Sequence, residues 1–281
     1  MPHWEFARTE PVSLNVNSTA GSVAVTAEPT ELVTVDVRPS RPGRHGEDFA
    51  GEVKVELTGD QLTIAEPTSR ISWLRGTGLD IVIKVPKGSY CEGETVSAEM
   101  SCLGEFGSLN VKTASGPVRA ATVTGDAEVT SISGLVAITA ADTVTVSTAS
   151  GPIELGEVTG ALEATSVSGP VQVSAARGPV TIQSSSGSVS LGCFSRDTTQ
   201  INTISGEVRV QVAPDTNVYL DLASISGKVS SELDPASEPT SPAGPDDPDE
   251  HASLQLHCTS VSGSIKISRA PSITPAQSAS S

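Results

Sequence analysis

The sequence predicts an all-β protein: a parallel β-solenoid (β-helix) with about 18 residues per coil and an N-terminal antiparallel β cap. Two repeated features carry this prediction. A Ser/Thr-x-Ser-Gly unit recurs eight times, and apolar residues alternate with other residues after each glycine. A third observation concerns the core, because aromatic residues make up only 3% of the chain. A core with so few rings must be narrow and filled by aliphatic side chains.

The spacing of the repeat predicts the length of one coil. Successive repeat glycines are 18, 17, 18, 18, 19, 21 and 36 residues apart, and other glycines lie about nine residues from them. Two nine-residue units therefore make one coil, and each unit holds a short strand and a turn. The eight repeat glycines are Gly116, Gly134, Gly151, Gly169, Gly187, Gly206, Gly227 and Gly263.

The residues around each glycine predict a strand that follows a tight corner. Val171 and Val173 follow Gly169 in an alternating pattern, which indicates a strand with one buried face. Stacked coils then place equivalent aliphatic residues in one internal column. Serine precedes every repeat glycine, and serine or threonine stands three residues before it. We expect these hydroxyls to bond to neighbouring backbone, and glycine to supply the backbone freedom of the corner.

An antiparallel sandwich is the competing fold, because Ser-Gly dipeptides also suit two-residue hairpin turns. The regular period favours the solenoid. Stacked coils require the same residue types to recur in each column, whereas a sandwich does not.

The repeat pattern divides the chain into five segments. Residues 1–88 are predicted as the β cap, because apolar alternation there has irregular periods and an open end would invite edge pairing. Within this segment, 11–29 contains one repeat-like unit and 38–49 is predicted as a loop. The remaining segments are β-solenoid repeats over 89–231, an acidic, proline-rich disordered loop over 232–251, a final coil over 252–268 and a disordered tail over 269–281.

Charge and composition exclude several functional classes. The 17 Lys and Arg against 33 Asp and Glu give a formal charge of −16, which disfavours nucleic acid and anionic membranes as partners. No apolar run is long enough for a membrane span, and the N-terminus lacks the pattern of a signal peptide. We therefore predict a cytoplasmic protein, in which the four cysteines stay reduced.

The cysteines and histidines have structural explanations in this pattern. Cys91, Cys102 and Cys258 fall in inward columns, where they act as small hydrophobic residues. His257 is next to Cys258 on a strand, so the two side chains face opposite sides and do not readily share a metal. The units also lack the recurrent aspartate of calcium-binding nonapeptide repeats.

The acidic residues of the repeats do not predict a catalytic pair. Asp126 and Glu128 share one half-unit, and Glu163 follows two coils later, about 10 Å away, which exceeds the usual reach of a glycosidase pair. Asp142 and Glu157 stand singly. We therefore predict no catalytic, cofactor-binding or metal-ligating residues and no cofactor. The outward column three residues after the repeat glycines is mixed in charge: Arg119, Ala137, Glu154, Gln172, Ser190, Arg209, Ser230 and Lys266.

The order of sequence blocks resembles one bacterial family. EPVSLNVNSTAGSVAV leads into VTVDVRPS, a D-Q-L-T-I strand, DIVIKVPKGS and then serial SG-x-V units, from about residue 3 to about residue 268. This order is similar to the β-strand-repeat proteins classed as "putative adhesins", a domain of unknown function common in actinobacteria and firmicutes. The resemblance implies a β-solenoid fold, no established catalytic residues and binding at a surface.

Three functions fit these observations. The first is a non-enzymatic scaffold or adhesin-like binding protein, since a flat Ser/Thr-rich face suits a repetitive ligand. The second is a self-assembling structural β-helix protein, which the cap and the charge oppose. The third is a carbohydrate-active β-helix enzyme. We predict the first, with an unknown protein or glycan as ligand, no nucleic-acid partner, and a monomeric or weakly self-associating state.

Overall fold

The computed structural model of the chain describes residues 2–41, 44–66, 78–194, 197–213, 216–233 and 253–270. Their strands join into one long, open sheet in which most neighbours run parallel. Leu109 pairs in parallel with Ala127, and Ala127 with Val144 on the next coil. The predicted all-β solenoid is therefore confirmed, and the antiparallel sandwich is excluded.

The N-terminal segment forms strands and one short helix. Ala50 of the helix is fully buried and Phe49 packs against the core, so part of the predicted loop 38–49 is helical instead. The elements are β1 (His3–Ala7), β2 (Ser13–Ser18), β3 (Gly21–Glu28), β4 (Leu32–Pro39), α1 (Arg44–Gly51), β5 (Lys54–Thr58), β6 (Gln61–Ala65) and β7 (Leu79–Pro86).

The repeats form the body of the stack. Two of their strands, β11 and β12, are long enough to contribute to both strands of a coil. The strands are β8 (Tyr90–Thr95), β9 (Glu99–Phe106), β10 (Ser108–Thr113), β11 (Val118–Ser131), β12 (Val136–Thr148), β13 (Ile153–Val158), β14 (Leu162–Ser166), β15 (Val171–Ala176), β16 (Val180–Ser184), β17 (Val189–Phe194), β18 (Asp197–Thr203), β19 (Val208–Val212), β20 (Asn217–Ser224), β21 (Val229–Ser231), β22 (Ser253–Ser260) and β23 (Ile265–Arg269).

The segment 1–88 is only partly the predicted antiparallel cap. Strand β1 pairs antiparallel with β4, β4 with β7, and β5 with β6, and these pairs cover one end of the stack. Strands β2 and β3 instead form a coil. They pair in parallel with β6 and β7 on one side and with β8 and β9 on the other.

The C-terminal coil also differs from its predicted position. The pattern predicts 252–268 as the final coil, and β22 and β23 do form a coil that is last in the sequence. In the stack, however, it lies between the β18–β19 coil and the β20–β21 coil. The predicted loop 232–251 and tail 269–281 lie outside the described residues, except for 232–233 and 269–270.

The core is a set of aliphatic columns. The column two residues after the repeat glycines shows the pattern, and in stack order its members from Val118 to Ile265 expose no more than 1% of their surface. Val229, on the last coil of the stack, is 41% exposed. In stack order the column contains Val118, Val136, Ile153, Val171, Val189, Val208, Ile265 and Val229.

The hydroxyl side chains close the corners, as the sequence predicts. Ser166 Oγ donates a hydrogen bond to the carbonyl oxygen of Gly169 at 2.7 Å. Thr148 Oγ1 accepts one from the Gly151 amide at 3.0 Å. Both side chains are buried, so these bonds satisfy groups that would otherwise be costly to bury.

The repeat glycines are required for a different reason from the one predicted. Positive φ among the described glycines occurs at Gly21, Gly59, Gly88 and Gly104, and at none of the eight repeat glycines. A Cβ atom built on a repeat glycine would instead overlap the backbone of the coil below. On Gly169, for example, it would meet the carbonyl oxygen of Gly151. Close backbone approach, and not backbone freedom, therefore selects glycine here.

We expect the substitution Val171→Asp to abolish cooperative unfolding. The charge would be buried between Ile153 and Val189, where it has no partner, at a cost of several kcal/mol. Gln172→Asp is the control, because Gln172 is exposed on the same strand. Urea titration followed by circular dichroism measures both. Equal midpoints for the two variants would show that the assignment of columns is wrong.

We expect Gly169→Ala to destabilise the chain by about 3 kcal/mol or more, because the added methyl group forces two coils apart. Gly51→Ala is the matched control, since a Cβ added there meets no atom within 4 Å. The free energy of unfolding in urea is the measurement. A loss at Gly169 no larger than that at Gly51 would remove the steric explanation.

Candidate functional site

Each coil contributes one strand to each of two faces. One of them, which we call the second face, contains β9, β13, β15, β17, β19, β23, β21 and the N-terminal halves of β11 and β12. Its central outward column is the one three residues after each repeat glycine. Backbone pairing places its members in the stack order Arg119, Ala137, Glu154, Gln172, Ser190, Arg209, Lys266 and Ser230.

A second outward column on this face is built from small side chains over its middle part. Side chains alternate along a strand, so residues two positions after the central column point the same way. Thr139, Gly156, Ser174 and Gly192 occupy this position on four successive coils. Their small side chains lower the surface along the stack.

Two adjoining depressions follow this low surface, and we call them together the trough. They have volumes of about 440 Å³ and about 360 Å³, and they share Gln172 and Ser174. The trough crosses the coils from Ala137 to Lys266, five strand spacings or about 24 Å. The first depression is lined by Ala137, Ile138, Thr139, Glu154, Leu155, Gly156, Gln172 and Ser174. The second is lined by Gln172, Val173, Ser174, Ser190, Gly192, Arg209, Gln211, Lys266 and Ser268.

A pair of cations lies at one end of the trough. Arg209 and Lys266 are register partners on adjacent strands, and both line the second depression. Arg209 Nη2 lies 2.6 Å from Glu207 Oε2, and Lys266 Nζ lies 2.9 Å from Glu232 Oε1. All four side chains are substantially exposed, and exposed ion pairs contribute only about 0–1 kcal/mol. These weak pairs leave the cations able to bind an anionic ligand.

This cation pair depends on the order of the coils. Along the chain, Ser230 follows Arg209 in the column and Lys266 comes after it. In the stack, Lys266 pairs with both Arg209 and Ser230 and lies between them. The separation of 36 residues between Gly227 and Gly263 signals an irregular last repeat but not its position, so the sequence does not reveal the pair.

The acidic residues considered from the sequence do not form a paired site. Thr145 lies between Glu128 and Glu163 in the register of strands β11, β12 and β14. Asp142 Oδ1 accepts a hydrogen bond from Thr159 Oγ1 at 2.7 Å. Glu157 Oε1 accepts hydrogen bonds from both Nε and Nη2 of Arg177, and Asp126 pairs in register with Thr143. Within the described ranges, no group of three or more His, Cys, Asp or Glu side chains is arranged to hold a metal ion.

The cysteines lie where the inward columns predict. Cys91, Cys102 and Cys258 are buried free thiols. Desolvation by burial raises the pKa of Cys258 to about 12, so its thiol is protonated at neutral pH. A hydrogen bond with Cys102, together with burial, raises the pKa of Cys91 well above its usual value. All three side chains pack in the hydrophobic core.

Two histidines, His3 and His257, have carboxylate neighbours on the outer surface. His257 Nδ1 lies 3.2 Å from Asp221 Oδ2, on the face opposite to the buried Cys258. Hydrogen bonds with Glu5 and Asp36 raise the pKa of His3. Neither histidine lies in the trough. No helix among the described residues is long and apolar enough to cross a membrane.

Comparison with known proteins identifies a family and a fold. The profile of the family described as Toastrack DUF4097 matches residues 12–268. A Parabacteroides distasonis ATCC 8503 structure named "putative lipid binding protein" is 14% identical, with 96% of each chain covered and a TM-score of 0.52. A Parabacteroides merdae ATCC 43184 structure named "putative adhesin" is 10% identical, with 95% of each chain covered and a TM-score of 0.50. No curated protein matches the sequence.

Proposed function

The chain belongs to the Toastrack DUF4097 family, and we propose that it is a non-enzymatic, adhesin-like scaffold that binds an extended acidic glycan in the trough. The observation that carries this proposal is the trough itself, with its row of small residues and its cation pair at one end. The similar structure named "putative adhesin" supports a binding role. A scaffold of this kind can bind its ligand either in the cytoplasm or at the cell surface, which the name "adhesin" implies. That the chain is of the actinobacterial type of the family stays a prediction.

The lining of the trough favours a hydroxyl-rich chain. Gln172, Ser174, Ser190 and Gln211 offer neutral hydrogen-bond donors and acceptors, and Gly156 and Gly192 leave space above the backbone. Such groups match the hydroxyls of a glycan laid across several coils. A lipid tail would require a more apolar lining than these side chains provide.

The cation pair favours an acidic group on that ligand. Arg209 and Lys266 can give charge-assisted hydrogen bonds to a carboxylate or sulfate. Elsewhere the formal charge of −16 opposes an anionic chain, so this end of the trough sets the position of the acidic group.

The number of carboxylates in the trough favours binding of the glycan without its hydrolysis. Glu154 is the one carboxylate among the residues that line the described trough. A glycosidase uses a pair of carboxyl groups about 5 to 9.5 Å apart. We therefore propose that a bound glycan leaves the trough unchanged.

Calorimetric titration with an oligogalacturonate, and with a neutral malto-oligosaccharide for comparison, tests this function. The double variant R209S/K266S places in both positions the serine that the same column has at Ser190 and Ser230. We expect it to bind the acidic oligosaccharide about tenfold more weakly or worse, because two charge-assisted bonds are lost.

The matched control is Arg119→Ser. Arg119 lies in the same column and forms a similar exposed ion pair with Glu99 at 2.8 Å, but it lies outside the trough. An equal loss of affinity in this control would replace specific binding with a general charge effect. Absence of binding by the unaltered chain, or release of shorter oligosaccharides, would overturn the proposal.

A further inference from the structure

A line of aliphatic side chains runs along the outside of the Ser-Gly corners. Each member stands two residues before the glycine position of its coil, and its neighbours in the stack are joined through backbone hydrogen bonds at the corner. We call this line the ridge. In stack order it contains Val96, Ala114, Ile132, Ala149, Val167, Ser185, Ile204, Val261 and Ile225.

The large members of the ridge contribute little to the core. Val96, Ile132, Val167 and Ile204 expose between 51% and 60% of their surface. Ser185 occupies the same position in its coil with the same corner bonds, so the fold accepts a polar residue there. Aligned, exposed aliphatic side chains of this kind are typical of an interaction surface.

Residue size alternates along the ridge. From Val96 to Ile204, large residues lie on every second coil, and Ala114, Ala149 and Ser185 lie between them. Adjacent coils are about 4.8 Å apart, so the large side chains recur about every 9.6 Å. The ridge is therefore a regular series of knobs and gaps.

The strip around the ridge is almost free of charge. Between Lys112 and Glu207, the corner segments 113–117, 130–135, 147–152, 165–170, 183–188 and 202–206 contain no charged residue. In a chain with a formal charge of −16, this strip is where two copies meet with the least repulsion. Pro152 and Leu135 add half-buried apolar surface beside the ridge.

We propose that a second copy of this chain docks on the ridge as an antiparallel, two-fold symmetric dimer. A two-fold axis between the coils of Ala149 and Val167 sets Ala149 opposite Val167 of the second copy. It also sets Ile132 opposite Ser185 and Ala114 opposite Ile204. From Ala114 to Ile204, each large side chain then lies opposite a small one, so the same surface fits itself in an isologous interface. Val96 lies opposite Val261 at the edge of the contact, where two large side chains meet. The surface is narrow, so the dimer is a weak one at the small end of specific interfaces.

Sedimentation equilibrium over a wide range of protein concentration tests the proposal. We expect the weight-average mass to rise above 28.6 kDa as concentration increases. The triple variant I132S/V167S/I204S should dimerise about tenfold more weakly or not at all, because its knobs are lost. The control L32S/L103S/V229S removes three exposed aliphatic side chains elsewhere and should dimerise like the unaltered chain.

The substitution Ala149→Leu distinguishes two explanations of dimerisation, a fit between knobs and gaps and a general attraction between apolar surfaces. It fills a gap, so it should weaken the dimer, although it adds apolar surface. A chain that stays monomeric at every concentration, or a dimer that Ala149→Leu strengthens, overturns the proposal. Binding of a monomer to phosphatidylcholine vesicles, strengthened by Ala149→Leu, would identify a lipid surface as the occupant instead.

Discussion

Each coil rests on the next through backbone atoms that touch at the Ser-Gly corner. The carbonyl oxygen of one glycine occupies the space that a Cβ on the next glycine would need, from Gly116 through to Gly206 and then Gly263 and Gly227. The carbonyl oxygen and the glycine Cα that it approaches are both backbone atoms, so their positions along the strand are fixed. This contact therefore sets the register of the strands on both sides of the corner. Aliphatic columns, buried hydroxyls and outward columns all follow from that register.

Both ends of the stack contain a coil that is out of chain order. Residues 13–28 lie between the β6–β7 coil and the β8–β9 coil, and residues 253–269 lie between the β18–β19 coil and the β20–β21 coil. A coil held on both sides cannot fray as a terminal coil does. At the C-terminal end this arrangement also creates the proposed site, because it brings Lys266 next to Arg209.

The sequence predicts features that repeat and misses those that occur once. The period, the inward columns and the corner hydroxyls recur in every repeat, and a stack of equivalent coils is consistent with all of them. The helix at Arg44–Gly51 occurs once, and burial of Ala50 decides it. The order of the coils in the stack is also specified only once. Every coil has the same Ser-Gly corner, so the repeat pattern does not tell which coil lies next to which. Arg209 and Lys266 are therefore visible in the column but not as a pair.

The role of the repeat glycines was predicted wrongly. A recurring glycine in the sequence does not show whether the position needs a positive φ or a close approach of two backbones.

The C-terminal coil lies inside the stack, with Gly263 between Gly206 and Gly227, and through-space NMR contacts among these three glycines measure its position. With the glycines labelled, we expect Gly263 to show contacts to both Gly206 and Gly227, with none between Gly206 and Gly227. Direct contacts between Gly206 and Gly227, with Gly263 next to Gly227 alone, would show that the coils follow chain order. Lys266 would then lie apart from Arg209, and the trough would lose its cation pair.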